Sequence, residues 1–207
     1  MSAQLALPFV WPAGPGEDAF LVTASNARAV AMLDDHRRWP VRAALLVGPR
    51  KSGRSLLARI FAAKTGGMVI DDAEEHAEPD LFHAWNRAQV EDRPMLIVAD
   101  AAPPAWPVRL PDLRSRLGAS PIATIAGPDD ALVRALLERE FLRRGLDARA
   151  ELVDWLASRI ERTHLSVLRV VDLLEREASG ARRRLSVPFA RATLAPTSMI
   201  VPEPRLL

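Results

Sequence analysis

Residues 48–55 form the segment that most constrains how this chain can fold, and their sequence is G-P-R-K-S-G-R-S. The segment follows the apolar run Ala43–Val47 and leads into an amphipathic run that starts at Leu56. This succession predicts a strand, a glycine-containing loop and a helix. The spacing matches the phosphate-binding loop pattern G-x-x-x-x-G-K-[ST] at every fixed position except one, where Arg54 replaces the lysine.

Each fixed position of this loop has an expected role toward a bound nucleotide. Gly48 and Gly53 let backbone N–H groups turn toward a phosphate, and the following helix adds the positive end of its dipole. Ser55 is placed to reach a magnesium ion. Arg54 keeps the positive charge, but its planar guanidinium is not the compact point charge of a lysine. We therefore expect a loop that holds a nucleotide and turns it over poorly; a strand–helix turn that merely contains glycines is the alternative.

Paired acids follow the next apolar run, Met68–Ile70. A strand that ends in two carboxylates downstream of a phosphate loop resembles the second nucleotide motif of P-loop ATPases. Asp71 would then hold the magnesium shell, and Asp72 would occupy the position that activates water. Acids that cap a helix in a strand–helix loop are the alternative.

The rest of the first 127 residues alternates between strand and helix patterns. Apolar runs predict further strands at Met95–Ala99 and Ile122–Ala126. This alternation is typical of an α/β protein whose parallel sheet is covered by helices on both faces. The predicted helices lie at Phe20–Asp35, from the phosphate loop to about Lys64, at Leu81–Val90 and at Leu110–Leu117.

Beyond Gly127 the pattern is helical throughout, which predicts a small second domain. We expect a tail at residues 1–19, an α/β core at 20–127, a helical domain at 128–196 and a tail at 197–207. The helical segments are predicted at Asp129–Arg144, Asp147–Glu161, Leu165–Glu177 and Leu185–Leu194.

Composition removes several functional classes. The chain has no cysteine, so disulfides and thiolate metal sites are excluded, and its four histidines are scattered. The 28 basic and 26 acidic residues nearly balance, so the pI of 9.8 is a weak indication of nucleic-acid binding. No apolar run approaches membrane-spanning length, and the N-terminus lacks the basic region of a signal peptide. We expect a soluble cytoplasmic protein that contacts no membrane.

The N-terminal segment Gln4–Phe9, with the sequence Q-L-A-L-P-F, combines spaced aliphatic residues with a terminal aromatic. Such an extended peptide can dock in an apolar groove, and Pro8 stiffens it and lowers the cost of ordering. The residues alone favour the alternative, a tail that packs on its own domain.

The order of these parts resembles that of AAA+ proteins of the DnaA-related type, and within them the Hda-type regulators that inactivate DnaA. The segment Leu96–Asp100 is similar to the family's sensor strand. Leu110–Leu117 resembles the segment that supplies an arginine finger, which would make Arg116 the finger, acting in trans, and leave Arg114 as a neighbour. Leu185–Phe189 resembles the last element of the helical lid. The N-terminal peptide resembles the family's sliding-clamp-binding motif, which implies clamp contacts from Gln4, Leu5, Leu7, Pro8 and Phe9.

The chain also departs from the family pattern. Only Thr65, Gly66 and Gly67 separate the loop helix from Met68, so the sheet should be one strand short. Leu165 stands where the family carries a sensor arginine, and Arg169, one turn later, could substitute at the nucleotide. With Arg54, these departures imply little or no independent ATPase activity. The implied cofactor is ADP or another nucleoside diphosphate, with Mg²⁺; an empty site is the alternative.

The resemblance implies a regulator that docks on the sliding clamp of DNA polymerase III, presents Arg116 to ATP held by DnaA and so restrains replication initiation. It would lie at the replisome or nucleoid. No helix-turn-helix follows the lid, so direct sequence-specific DNA binding is not expected; self-association stays open. Two alternatives are an independent P-loop ATPase or clamp-loader-like subunit, and a clamp-bound loader of another initiation protein.

Overall fold

The computed structural model of the chain describes residues 9–11, 19–181 and 184–200. The described residues fall into two compact units, residues 9–126 and the residues from 127 onward. The predicted clamp-binding peptide Gln4–Phe9 lies outside the described residues except for Phe9. Within the described ranges, no helix is both long enough and apolar enough to cross a bilayer.

A four-stranded parallel sheet forms the centre of the N-terminal unit, with the strand order β4-β5-β3-β6. Two further strands, β1 and β2, form a separate antiparallel pair in which Phe9 lies opposite Val22. The strands are β1 (Phe9–Trp11), β2 (Phe20–Val22), β3 (Ala43–Val47), β4 (Met68–Ile70), β5 (Met95–Ala99) and β6 (Ile122–Thr124). The helices of this unit are α1 (Ala27–Asp34), α2 (Arg54–Thr65), α3 (Glu78–Val90) and α4 (Pro111–Ala119), with 3₁₀ turns at His36–Arg38 and Ala73–Glu75.

The two central strands, β3 and β5, are buried at every residue, which explains their uninterrupted apolar sequences. Alternate residues of each strand face opposite layers. Leu46 packs in a cluster with residues of α1 and α2, whereas Leu45 packs in a second cluster with residues of α3 and α4. The sheet is therefore covered on both faces, as predicted.

The connection from α2 to β4 is as short as the sequence predicts. Gly66 ends α2 in a left-handed conformation with φ 67°, and Met68 already begins β4. A Cβ on Gly67 would lie 2.7 Å from the carbonyl oxygen of Pro94, so this connection passes close against the loop before β5. The parallel sheet accordingly has four strands among the described residues, and β4 lies at its edge.

The prediction of a helix over Phe20–Asp35 was wrong for residues 20–26. Phe20–Val22 is strand β2, paired with a strand inside the predicted tail, and the helix begins at Ala27. Asn26 sets this boundary: its side-chain oxygen accepts the N–H of Thr23 at 2.9 Å, and its amide donates to the carbonyl of Leu21 at 2.9 Å. The side chain thus closes a turn after β2 and does not cap α1.

The described part of the C-terminal unit is a bundle of four helices, α5 (Asp130–Arg143), α6 (Ala150–Ala157), α7 (His164–Ala181) and α8 (Val187–Leu194). Asp129 caps α5 by accepting the N–H of Leu132 at 2.7 Å. The predicted helix Asp147–Glu161 is shorter in the structure, where it spans only α6. Phe141, Leu156 and Leu174 are fully buried and hold the helices together.

Candidate functional site

The candidate site lies at the carboxyl ends of three neighbouring parallel strands. Gly48 follows β3, Asp71 follows β4 and Asp100 follows β5. Because these strands are neighbours and run in the same direction, their carboxyl ends lie side by side. The fold therefore brings the loop 48–55, the paired acids and the end of β5, the predicted sensor strand, close together.

The backbone of the loop has the form of an anion cradle. A Cβ on Gly48 would lie 2.7 Å from the carbonyl oxygen of Ile125, so only glycine fits there without a shift. Gly53 precedes α2 with φ 87°, a left-handed conformation suited to glycine. In the part of the chain that the structure describes, the N–H groups of Gly53, Arg54 and Ser55 have no protein acceptor. Free N–H groups at a helix N-terminus suit a phosphate.

Ser52 is a loop residue that the motif pattern gave no reason to select. It is only 4% exposed, and its hydroxyl has no hydrogen-bond partner among the described residues. Buried hydroxyls are normally paired, so an unpaired one inside the loop is a further feature that fits a bound oxyanion. Ser55, the predicted magnesium ligand, is half-buried at the start of α2. The backbone and hydroxyl groups of the loop thus fit a phosphate.

The side chain of Arg54 points toward the end of β5. Only 8% of it is exposed. One terminal nitrogen, Nη1, donates to the carbonyl of Ala99, and the other, Nη2, lies 2.5 Å from Oδ1 of Asp100. The cation at the lysine position of the motif is therefore buried and engaged in an ion pair with the partly exposed Asp100.

Asp100 binds a second arginine of the same loop. Its Oδ2 accepts a hydrogen bond of 3.0 Å from Nε of Arg50, a residue whose side chain is 79% exposed. The guanidinium of Arg54, followed by that of Arg50, holds the pKa of Asp100 below its ordinary value. The N–H of Asp100 is bound by a carboxylate oxygen of Glu74. The sequence indicated a polar residue at the end of the sensor strand but not its pairing with the loop.

The second of the paired acids borders a pocket of about 360 Å³ that is lined by both charged and apolar residues. Asp72 lines this pocket together with Arg50, Glu74 and Asp100, and its backbone is left-handed with φ 45°. Asp71 is half-buried, and its Oδ1 accepts the N–H of Asp72 at 3.1 Å. Among the described residues, no three carboxylate or imidazole side chains are grouped to hold a metal. Magnesium ligation by Ser55 and Asp71 stays a prediction, which relies on phosphate oxygens to complete the shell.

Arg116, the predicted finger, packs on α3 of its own chain. Its guanidinium carbon lies 4.3 Å from the ring centroid of Phe82 and 5.4 Å from that of Trp85. Its Nε donates to the side-chain oxygen of Asn86 at 2.9 Å, and Nη1 donates to the carbonyl of Asp112 at 3.2 Å. The contact with Asp112 is thus made to its backbone and not to its side-chain carboxylate. Nothing in the sequence pattern pointed to the aromatic contacts.

Arg114, the neighbouring arginine, has different partners. Its Nε and Nη2 donate to the carbonyl of Val108 at 3.0 and 2.7 Å. The two arginines of α4 are thus held separately, one on the face of α3 and one on the loop before α4.

In the C-terminal unit, the predicted sensor region lies on the first turns of α7. Leu165 is 41% exposed, and Arg169 is exposed one turn later. Within the described ranges the side chain of Arg169 has no hydrogen-bond or ion-pair partner. Its predicted contact with nucleotide stays a prediction.

Solved structures with the same architecture define the class of fold. Domain III of the replication initiation protein DnaA from Thermotoga maritima superposes with a TM-score of 0.68 at 13% identity, over 84% of this chain and 93% of that domain. The RuvB Holliday junction branch migration motor of the same organism gives 0.60 at 16%, over 82% and 67%. A replication initiator DnaA bound to AMPPCP and single-stranded DNA gives 0.59 at 15%, over 78% and 66%. The chain has the AAA+ fold, with a helical C-terminal lid.

The helical unit gives a more specific match than the fold as a whole. Residues 129–194 match the family model for the Hda lid domain. An uncharacterized protein from Haemophilus influenzae is 30% identical over 133 residues, which are 61% of this chain and 58% of that relative. The chain therefore spans less than two thirds of that relative. The C-terminal unit is therefore similar to the Hda lid domain, in a chain that has the AAA+ fold.

Proposed function

We propose that this protein restrains replication initiation by promoting hydrolysis of ATP held by DnaA. The observation that carries the proposal is the Hda lid match over residues 129–194, in a chain whose fold is that of DnaA domain III. The protein would act while docked on the sliding clamp of DNA polymerase III through Gln4–Phe9, which would place it at the replisome. DnaA and the clamp are thus its proposed partners.

In this proposal the hydrolytic site belongs to DnaA. The loop of this chain offers backbone N–H groups and the hydroxyls of Ser52 and Ser55 to a phosphate, but Arg54 is paired with Asp100. ADP is the ligand that best suits this site, held by Gly48, Gly53 and Ser55 through its phosphates. A magnesium ion bound with it would offset phosphate charge, with Ser55 and Asp71 as ligands and Asp72 beside them. The residues of this chain would bind the nucleotide without splitting it.

Arg116 is the proposed contribution of this chain to the site on DnaA. A positioned guanidinium stabilises the charge that develops on the transferred phosphoryl group, and such fingers are worth roughly 10³–10⁵ in rate. Packing on Phe82 and the hydrogen bond to Asn86 restrict the side chain before any partner is present. On docking, phosphate oxygens would replace Asn86 as the acceptor.

The direct test measures release of phosphate from ATP bound to DnaA, with the sliding clamp loaded on DNA. We expect fast release only when this protein and the clamp are both present. Equal rates with and without this protein would refute the proposal. If DnaA-bound ATP is untouched while another initiation protein is recruited to the clamp, the loader function would be supported.

An independent ATPase is the second candidate, favoured by the likeness of the fold to a branch migration motor and by the intact loop backbone. The pairing of Arg54 with Asp100 counts against it, because the loop cation is already engaged by a carboxylate of this chain. Turnover by the protein alone separates the two candidates.

A further inference from the structure

We propose that Asp100 acts as an internal substitute for phosphate and so sets the affinity of the loop for nucleoside diphosphates and triphosphates. Its carboxylate holds both Arg50 and Arg54, and a polyphosphate must displace it to recruit them. Asp100 is thus a positioning residue that acts through Arg54. The inference rests on the proposal that the loop binds phosphate, but not on the proposed partner.

Each oxygen of the Asp100 carboxylate contacts a different arginine. Oδ1 lies 2.5 Å from Nη2 of Arg54, and Oδ2 lies 3.0 Å from Nε of Arg50. A phosphate presents the same chemistry, since its oxygens accept charge-assisted hydrogen bonds from guanidinium groups. Asp100 therefore satisfies the two side chains that a phosphate would otherwise attract.

The shape of arginine makes this arrangement effective. The guanidinium of Arg54 spans two acceptors at once, the carbonyl of Ala99 and the carboxylate of Asp100. Its side chain is 8% exposed, so water competes little for these bonds, whereas Asp100 is 46% exposed and reachable from the pocket that Asp72 borders. A lysine ammonium has no such fork, which gives the substitution in the motif a structural purpose. The loop cation is neutralised without any ligand.

The test is calorimetric titration of the full-length protein with ADP and, separately, with inorganic pyrophosphate. Asp100→Asn keeps the shape of the side chain and removes the charge that holds Arg54. We expect this variant to bind both ligands at least about tenfold more tightly than the wild type, since charge-assisted hydrogen bonds are of that order. A gain with ADP alone would show that the nucleoside is responsible and would overturn the inference.

The double variant Arg54→Ala with Asp100→Asn shows whether the gain passes through Arg54. We expect the double variant to lose the tighter binding. If it binds as tightly as Asp100→Asn, the gain comes from removing a negative charge alone, and the inference falls. Glu75→Gln is the matched control, because Glu75 lines the same pocket and forms none of these bonds; an equal gain from it would also refute the inference. Asp92→Asn, which removes the partner of Arg42 before β3, controls for the loss of an ion pair elsewhere.

Thermal unfolding of each variant shows whether the variant is folded under the conditions of the titration. If Asp100→Asn does not fold, Asp100→Ser replaces it with a shorter polar side chain and the same expectation. Undetectable binding of both ligands to every variant at millimolar concentration would overturn the inference. Stimulation of DnaA-bound ATP hydrolysis, measured on the same variants, tests the proposed function separately: unchanged affinity with normal stimulation rejects only the role of Asp100.

Discussion

Arginines occupy the points at which the chemistry of this protein is proposed to occur, and each is held by acceptors of this chain. Arg54 and Arg50 share the carboxylate of Asp100, and Arg116 lies over an aromatic ring with an amide at its side. The fork of the guanidinium allows each side chain to bind two groups in fixed directions. These positions are therefore set before any ligand or partner arrives.

Arg116→Ala should lower stimulated hydrolysis of DnaA-bound ATP by about 10³ or more, because a finger stabilises the transferred phosphoryl group. Loss of the contact with Phe82 should also reduce folding stability, by about 0.5–2 kcal/mol. The measurements are phosphate release in the presence of clamp, DNA and DnaA, and denaturant unfolding of the variant alone. Arg114→Ala is the control, since it removes an arginine of the same helix that is bound only to backbone carbonyls. Equal losses from both variants would indicate general charge attraction.

Gly48→Ala should destabilise the core, because the new Cβ would lie 2.7 Å from the carbonyl oxygen of Ile125. The expected cost is about 1–3 kcal/mol, as for other overpacked sites. Gly118→Ala is the matched change: no atom lies within 4 Å of its Cβ, and it stands in α4, where alanine is favoured by up to about 1 kcal/mol. Denaturant unfolding should move in opposite directions for the two variants, and a stable Gly48→Ala would show that the loop can shift.

At the scale of secondary-structure elements, the start of α7 should make the stability of the helical unit depend on pH. Burial of His164, followed by the charge of Arg139, lowers the pKa of its imidazole, and Nδ1 has no partner among the described residues. The unfolded chain takes up the proton more readily, so stability should fall as pH decreases through the ordinary histidine pKa of about 6.5. Unfolding measured from pH 7.5 to 5 should show this loss, and His164→Gln should reduce it. An unchanged slope would contradict the assignment; His83→Gln, at an exposed position of α3, is the control.

The elements that the sequence predicted well are those with long regular patterns. The buried strands β3 and β5 are unbroken apolar runs, and α2, α3, α5 and α7 have a clear apolar face and end near glycine or a turn. The strand β2 was missed because three residues show no period. Its pairing with β1, across a segment rich in proline and glycine, is a long-range choice that local sequence does not encode.

The candidate site was likewise predicted only in part from the sequence. Motif spacing located Gly48–Ser55, Asp71 and Asp72 at one sheet edge, because the order of strands and loops determines that placement. It did not predict the pair between Arg54 and Asp100, which lie 46 positions apart. The contact of Arg116 with Phe82 was missed for the same reason. A motif gives the backbone path, whereas the partner of each side chain depends on packing between elements.

At the scale of the whole molecule, the N-terminal peptide is predicted to attach the protein to the clamp. Replacement of Leu7 and Phe9 by alanine should abolish clamp binding in a pull-down, because a few apolar anchors dominate such docking. The same variant should lose clamp-dependent stimulation of DnaA-bound ATP hydrolysis. Val10→Ala, one residue beyond the peptide, is the control. Retained clamp binding by the double variant would place the contact elsewhere.

Nucleotide should be a bound ligand of this protein and not its substrate. With Arg54 paired and Leu165 at the sensor position, phosphate release from ATP by the protein alone should stay far below the roughly 1 s⁻¹ or more of ordinary enzymes. A phosphate-release assay tests this, and calorimetry with ADP and ATP shows which nucleotide is held. Turnover at ordinary rates would restore the ATPase alternative.

The short connection through Gly66 and Gly67 also bears on whether the parallel sheet can pair with strands of other molecules. It leaves β4 at one border of the parallel sheet, and β6 forms the other; each has only three residues. Such short borders offer few free N–H and C=O groups to a foreign strand, a common protection against β-aggregation. Concentrated solutions should therefore resist growth of intermolecular sheets from these two strands.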